Sequence, residues 1–176
     1  LLDDAHQRAR AVVEQASPEL SDAEKDAVAE IVGVGAVVYN DLYQDPRRNI
    51  TLDWDRMLAL EGNSAPYIQY MYARCRSILR KAAAEEAQRS DVQSLNVGAS
   101  LAHPSEIAVV KQLAKLPGAV REAGARYAPF VIAEWCYETA RTLSGFYRDC
   151  PVLKADSPEL RVARLRLVAA TAQSLK

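Results

Sequence analysis

Ala65-Pro66-Tyr67-Ile68-Gln69-Tyr70-Met71-Tyr72-Ala73-Arg74-Cys75-Arg76-Ser77-Ile78-Leu79-Arg80-Lys81-Ala82 sets the helical character of the chain. Projected at about 100° per residue, Ile68, Met71, Cys75, Ile78, Leu79 and Ala82 fall on one apolar stripe. That periodicity predicts a long amphipathic helix from about Ala65 to Gln88, entered from the loop Glu61-Gly62-Asn63-Ser64. Tyr67, Tyr70, Arg74 and Lys81 cluster on a flank about 90° from the stripe, and Tyr72, Arg76 and Arg80 on the opposite flank.

Outward from this segment the helical signals continue in both directions. Leu2 to Ala16 carries apolar residues at Leu2, Ala5, Ala9, Val12 and Val13, and Ser17-Pro18 ends it. Ser21 and Glu24 form a capping box before a helix that carries Val28, Ile31, Val32, Gly35, Val38 and Leu42 as its apolar residues. Gly33 and Gly35 would each cost about 1 kcal/mol against Ala in that helix, which points to another backbone packed close by. Residues 44–49 read as a polar turn, 50–54 as a short extended piece and 90–102 as a connector. Pro104 opens a helix to Lys115, with His103 as its cap, and Pro117-Gly118 interrupts. A short helix to about Tyr127 follows. Another helix runs from Pro129 to Cys150-Pro151, and the last, opened by Ser157-Pro158-Glu159, carries Leu160, Ala163, Leu167, Ala170 and Leu175. No repeat or low-complexity tract is found. The prediction is an all-α bundle.

Composition narrows the function classes. Nearly half of the 176 residues are hydrophobic, enough for a core without disulfide staples. Formal charge is −1, so no global basic field advertises a nucleic acid, and any such partner must be met by a local patch. Cys75, Cys136 and Cys150 are odd in number and widely spaced, the usage expected in a reducing cytoplasm. No apolar run approaches the ~20 residues of a membrane span.

Candidate catalytic groups are thin. His6 and His103 lack a Cys or His at ligand spacing, so no metal site is expected. Asp53-x-Asp55 and Glu85-Glu86 read as solvated or capping acids, and no nucleophile–base arrangement can be assembled. The aromatic and cationic flank is more informative. Unstacked bases of a single-stranded loop lie on tyrosine or guanidinium planes while Arg and Lys neutralise phosphates. Tyrosines that edge a core with wet hydroxyls give the same pattern. Spacing alone leaves both readings open.

Further residues carry a resemblance. Gly33-Val34-Gly35-Ala36-Val37-Val38-Tyr39-Asn40-Asp41-Leu42 resembles the G-x-G-A-x-x-Y-x-D-L segment of arginyl-tRNA synthetases. Leu52-Asp53-Trp54-Asp55-Arg56-Met57-Leu58, and then the run from Glu61-Gly62-Asn63-Ser64-Ala65-Pro66-Tyr67 to Arg74-Cys75-Arg76-Ser77-Ile78, resemble the same family, with Ser64 for Thr and Cys75 for Ile as mild departures. Ala133-Glu134-Trp135-Cys136-Tyr137-Glu138, Phe146-Tyr147-Arg148-Asp149-Cys150-Pro151-Val152-Leu153 and Glu159-Leu160-Arg161-Val162-Ala163-Arg164-Leu165 continue the likeness. It covers essentially the whole chain in consistent order.

The resemblance implies a helical bundle of the class I synthetase anticodon-binding type. The family uses ATP and Mg to form arginyl-adenylate and transfers arginine to its tRNA. Its His-Ile-Gly-His and Lys-Met-Ser-Lys-Ser type motifs are absent here. The resemblance therefore implies residues 1–60 as the helical tail of a catalytic region and 61–176 as the anticodon-binding domain. It implies a cytoplasmic chain, not expected to oligomerise, that binds arginine tRNA without aminoacylating, with no DNA or membrane partner, no cofactor and no catalytic residue of its own. Tyr67, Tyr70 and Arg74 match family positions implicated in holding splayed anticodon-loop bases. Gly62 and Asn63 match the loop that meets the tRNA backbone, and Lys81 joins them from the helical projection. The runner-up expectation is a helical module that binds a protein partner. The E-G-N-S-A-P-Y run argues against another class I synthetase.

Overall fold

The computed structural model describes residues 1–45, 49, 52–86 and 101–176. Among these, every regular element is a helix: α1 Leu2–Ala16, α2 Asp22–Tyr43, α3 Trp54–Met57, α4 Ala65–Glu86, α5 Pro104–Ala114, α6 Leu116–Arg126, α7 Phe130–Asp149 and α8 Pro158–Ser174. The all-α expectation holds. Of the turn, extended piece and connector expected at 44–49, 50–54 and 90–102, residues 46–48, 50–51 and 90–100 lie outside the described residues, as do the last residues expected in α4. Trp54, within the expected extended piece, instead opens α3.

Helix starts follow local chemistry. Ser21 Oγ accepts from the Glu24 amide while the Glu24 carboxylate accepts from the Ser21 amide, satisfying two orphan donors of α2. His103 and Glu106 make the equivalent box at α5, and Ser157 Oγ accepts from the Leu160 amide at α8. Asp53 caps α3 through the Arg56 amide at 3.2 Å, which gives the Asp53-x-Asp55 pair a structural use. Pro117 does not interrupt a helix: α5 stops at Ala114 and α6 begins at Leu116, with Pro117 in its first turn, where a missing N–H costs little.

The chain forms two compact units, one of residues 1–70 with 121–134, the other of residues 71–120 with 135–176. In the first unit α1 and α2 pack along small residues, with Ala5, Ala9, Ala29 and Ala36 at most 1% exposed. A Cβ on Gly33 would lie 2.7 Å from the Ala5 carbonyl oxygen, so the expected close backbone is that of α1. At Gly35 the close neighbour is a side chain instead: the Gln69 amide nitrogen, 2.5 Å from where a Cβ would sit. That amide donates to the Ile31 carbonyl at 3.1 Å. Met57 joins Ala5, Ala36 and Val37 in one cluster, flanked by Trp54 and Leu58.

The expected inner face of α2 is corrected. Its buried residues are Lys25, Ala29, Gly33, Ala36, Val37 and Asn40, whereas Val28, Ile31, Val38 and Leu42 are exposed, Ile31 by 65%. The close approach to α1 leaves room only for small residues along the seam, at Ala29, Gly33 and Ala36. The stripe of α8 is likewise shifted: Ala163, Arg164, Leu167, Val168, Thr171 and Ala172 are buried, and Ala170 is exposed.

The second unit buries the stripe expected of α4, with Met71, Cys75, Ile78 and Ala82 inside and Leu79 half-buried. Helices α5 and α7 are joined by buried polar groups. Trp135 Nε1 donates to the Gln112 carbonyl at 3.0 Å, and Gln112 Nε2 donates to Thr139 Oγ1 at 3.3 Å. On α8, Arg161 pairs with Glu85 at 2.8 Å and Arg164 with Glu106 at 2.6 Å. All three cysteines are free thiols. No helix among the described residues is long and apolar enough to cross a membrane, and no group of His, Cys, Asp and Glu there could hold a metal ion.

Candidate nucleic-acid interface

Helix α4 carries four of the six expected site residues. Ser64 starts it, its Oγ accepting from the Tyr67 amide at 3.3 Å and donating to the Ala59 carbonyl at 2.6 Å. The preceding turn places Gly62 at φ +79°, left-handed backbone that glycine adopts without a Cβ penalty, in open surroundings. Asn63 is half-buried, and its side-chain oxygen lies 2.5 Å from the Tyr39 hydroxyl, which is also 3.1 Å from the Ala133 carbonyl. One hydroxyl proton serves two oxygens there, so an amide turned to present its nitrogen to Tyr39 satisfies all three groups. Tyr67 is half-buried and Tyr70 is 45% exposed. These four residues belong to the first unit.

Arg74 and Lys81 belong to the second unit, where they meet side chains that the sequence reading did not nominate. The Arg74 guanidinium lies over the Tyr147 ring, 3.7 Å from its centroid. Such a cation–π contact fixes a mobile cation against an aromatic plane. Both line a groove of about 430 Å³ together with Ser77, Ile78, Lys81 and the segment from Pro151 to Lys154. Among the described residues the lining holds three cations, Arg74, Lys81 and Lys154, and no carboxylate. Ile78 and Val152 form an apolar floor, and Tyr147, 38% exposed, offers ring surface.

The folding reason lies in α7 and its exit. Phe146 is fully buried, so its neighbour Tyr147, one step of about 100° around the helix, points away from the core. Cys150 is also buried and Pro151 cannot continue the helix, so the chain turns and brings Lys154 back to the groove. Only the quoted Phe146-Tyr147 resemblance touched this part of the site. Nothing in the periodicity of α4 indicates which aromatic, some 70 residues on, will sit under Arg74.

The helical domain is of the anticodon-binding class: residues 68–176 match the family model described as the DALR anticodon binding domain, and the chain belongs to that family. Its relatives are arginine–tRNA ligases. It is 63% identical over all 176 residues to the arginine–tRNA ligase of Chloroflexus aurantiacus and 44% identical over 178 aligned positions to that of Thermococcus kodakarensis. The chain spans 30% of the first of these and 27% of the second. Its fold is similar to that of Thermus thermophilus arginyl-tRNA synthetase, with a TM-score of 0.86 and 32% identity over 99% of this chain and 29% of that one.

Proposed function

We propose that this chain is the anticodon-recognising part of an arginine–tRNA ligase and grips the anticodon loop of arginine tRNA. The observation that carries the reading is the Arg74 guanidinium over Tyr147 in a groove with Lys81 and Lys154. A splayed base stacks on the Tyr147 ring, and Arg74, Lys81 and Lys154 take the flanking phosphates. Tyr67, Tyr70, Gly62 and Asn63 belong to the other unit and are further tRNA contacts by the family resemblance alone. The ligase chemistry, with ATP and Mg, belongs to the remainder of the parent polypeptide, since neither signature motif occurs here. The parent works in the cytoplasm.

Labelled arginine tRNA and a non-cognate tRNA are titrated against the chain and its Tyr147→Ala and Tyr70→Ala forms. Cognate binding should be preferred, and loss of a stacking ring should weaken it by about 5- to 150-fold, the equivalent of ~1–3 kcal/mol per base. A folded chain that binds both tRNAs equally, with neither ring mattering, would sink the proposal. Arginine-dependent pyrophosphate exchange by the purified chain would refute the placement of the chemistry elsewhere. The second reading, a helical module docking a protein, is favoured by the exposed Val28, Ile31, Val38 and Leu42 of α2. Salt separates the two, because phosphate contacts weaken steeply as it rises and apolar docking does not.

A further inference from the structure

One wall of the groove is irregular backbone. Pro151, Val152, Leu153 and Lys154 follow α7 without a helix of their own, so their carbonyls need partners that no helical backbone ladder supplies. Arg164 of α8 supplies one. Its Nη1 donates to the Pro151 carbonyl at 2.8 Å, while its Nε donates to Glu106 Oε1 at 2.6 Å. The other carboxylate oxygen of Glu106 accepts from the Ala102 and His103 amides, each at 2.8 Å. A single ion pair thus satisfies the exit of α7 and the entry of α5. Glu106 is 1% exposed and Arg164 7%, and neither lines the groove.

A buried ion pair is weak evidence of stabilisation, because desolvating both charges offsets most of their attraction. Its geometry is the more informative property. A guanidinium is a planar fork that fixes two acceptors relative to one another, which an ammonium cannot do. We propose that Arg164, oriented by Glu106, is a positioning residue that holds the Pro151–Lys154 wall in place, so that Lys154 and Val152 face the groove in one arrangement. The consequence for tRNA affinity rests on the function proposed above; the ordering of the wall does not.

The test uses the full chain and Arg164→Lys, which keeps the charge but not the fork, with Glu106→Gln as a second variant should the first fold poorly. Amide hydrogen exchange should quicken at Val152, Leu153 and Lys154 while the middles of α5, α7 and α8 stay protected. Binding of arginine tRNA should weaken roughly ten-fold, with its salt dependence reduced toward that of Lys154→Ala because Lys154 is no longer held toward a phosphate. Exchange that is unchanged, or that rises uniformly through the unit, would overturn the positioning role. Locally faster exchange in a chain that never binds tRNA would uphold the role and refute the tRNA reading. Locally faster exchange with wild-type tRNA affinity would show that the wall does not govern binding, and would overturn the link between the two.

Discussion

Replacing Gly33 by alanine tests the packing on which the first unit depends. The added methyl would sit 2.7 Å from the Ala5 oxygen, 2.8 Å from its carbonyl carbon and 2.9 Å from the His6 nitrogen. Ordinary contact begins at 3.4 Å, so the first of these falls about 0.7 Å short. All three atoms are backbone, and no rotamer change can relieve them. Helices α1 and α2 must part and loosen the Ala5, Ala36, Val37 and Met57 cluster. Overpacking of this kind costs about 1–3 kcal/mol, against a helix-propensity gain of about 1 kcal/mol from removing a glycine. Because all three close atoms are backbone the upper end of that cost applies, so the net expectation is a loss of about 2 kcal/mol, or a melting temperature lower by roughly 4–8 °C at the 2–4 °C per kcal/mol of a chain this size. Gly35→Ala is the internal control, because its methyl meets only the end of the Gln69 side chain. That amide can swing away, losing about 0.5–1.5 kcal/mol of hydrogen bonding and regaining about as much from propensity. Thermal melts followed by circular dichroism decide. Gly33→Ala as stable as wild type, or the two variants equally destabilised, would refute the close backbone contact.

Three further outcomes follow from the same coordinates. Ile31→Glu, on the exposed face of α2, should stay within about 0.5 kcal/mol of wild type in urea unfolding of this chain, whereas Ala36→Glu should unfold the first unit. Burial alone would raise the Glu106 carboxyl pKa, but Arg164 and the His103 and Ala102 amides outweigh it and hold it below the usual 4.5. A carboxyl lowered in the folded state contributes stability that is complete above its unfolded value and drains away as pH falls through the folded one. Urea midpoints should therefore drop as pH falls below 4.5, and Glu106→Gln should flatten that drop. Burial pushes the Cys75 thiol up to about 11, and Cys150 is fully buried, so a thiol reagent at about pH 8 should label half-buried Cys136 first, as read by peptide mass mapping.

Much of the fold was legible because capping chemistry and punctuation are local. Ser21 with Glu24, His103 before Pro104 and Ser157 before Pro158 mark helix starts whatever surrounds them. The stripe of α4 was legible because its inner residues are large and its outer ones charged. The face of α2 was not, for a physical reason. Its partner α1 approaches so closely that glycine and alanine form the seam, and hydrophobicity then points to the wrong side. The site divides in the same way. Residues sharing one helix could be grouped by projection, whereas Tyr147 and Lys154 reach Arg74 only through tertiary folding. Spacing cannot carry that information.

The net charge of −1 and a groove with three cations together fix how strongly salt should act on binding. With no large overall field, long-range steering contributes little, and the salt dependence reports the phosphates actually contacted. For single-stranded nucleic acid the slope of log affinity against log salt is about −0.7 per neutralised phosphate. If Arg74, Lys81 and Lys154 each meet one phosphate, the slope should be about −2, and Lys154→Ala should bring it to about −1.4. Tyr147→Ala should lower affinity while leaving the slope near −2, because a ring that stacks on a base neutralises nothing. The two variants therefore separate stacking from charge in one titration series. A slope several units steeper would mean that cations outside the groove, such as Arg76 and Arg80 on the other flank of α4, hold the tRNA. A slope near zero would remove phosphate recognition from the groove altogether.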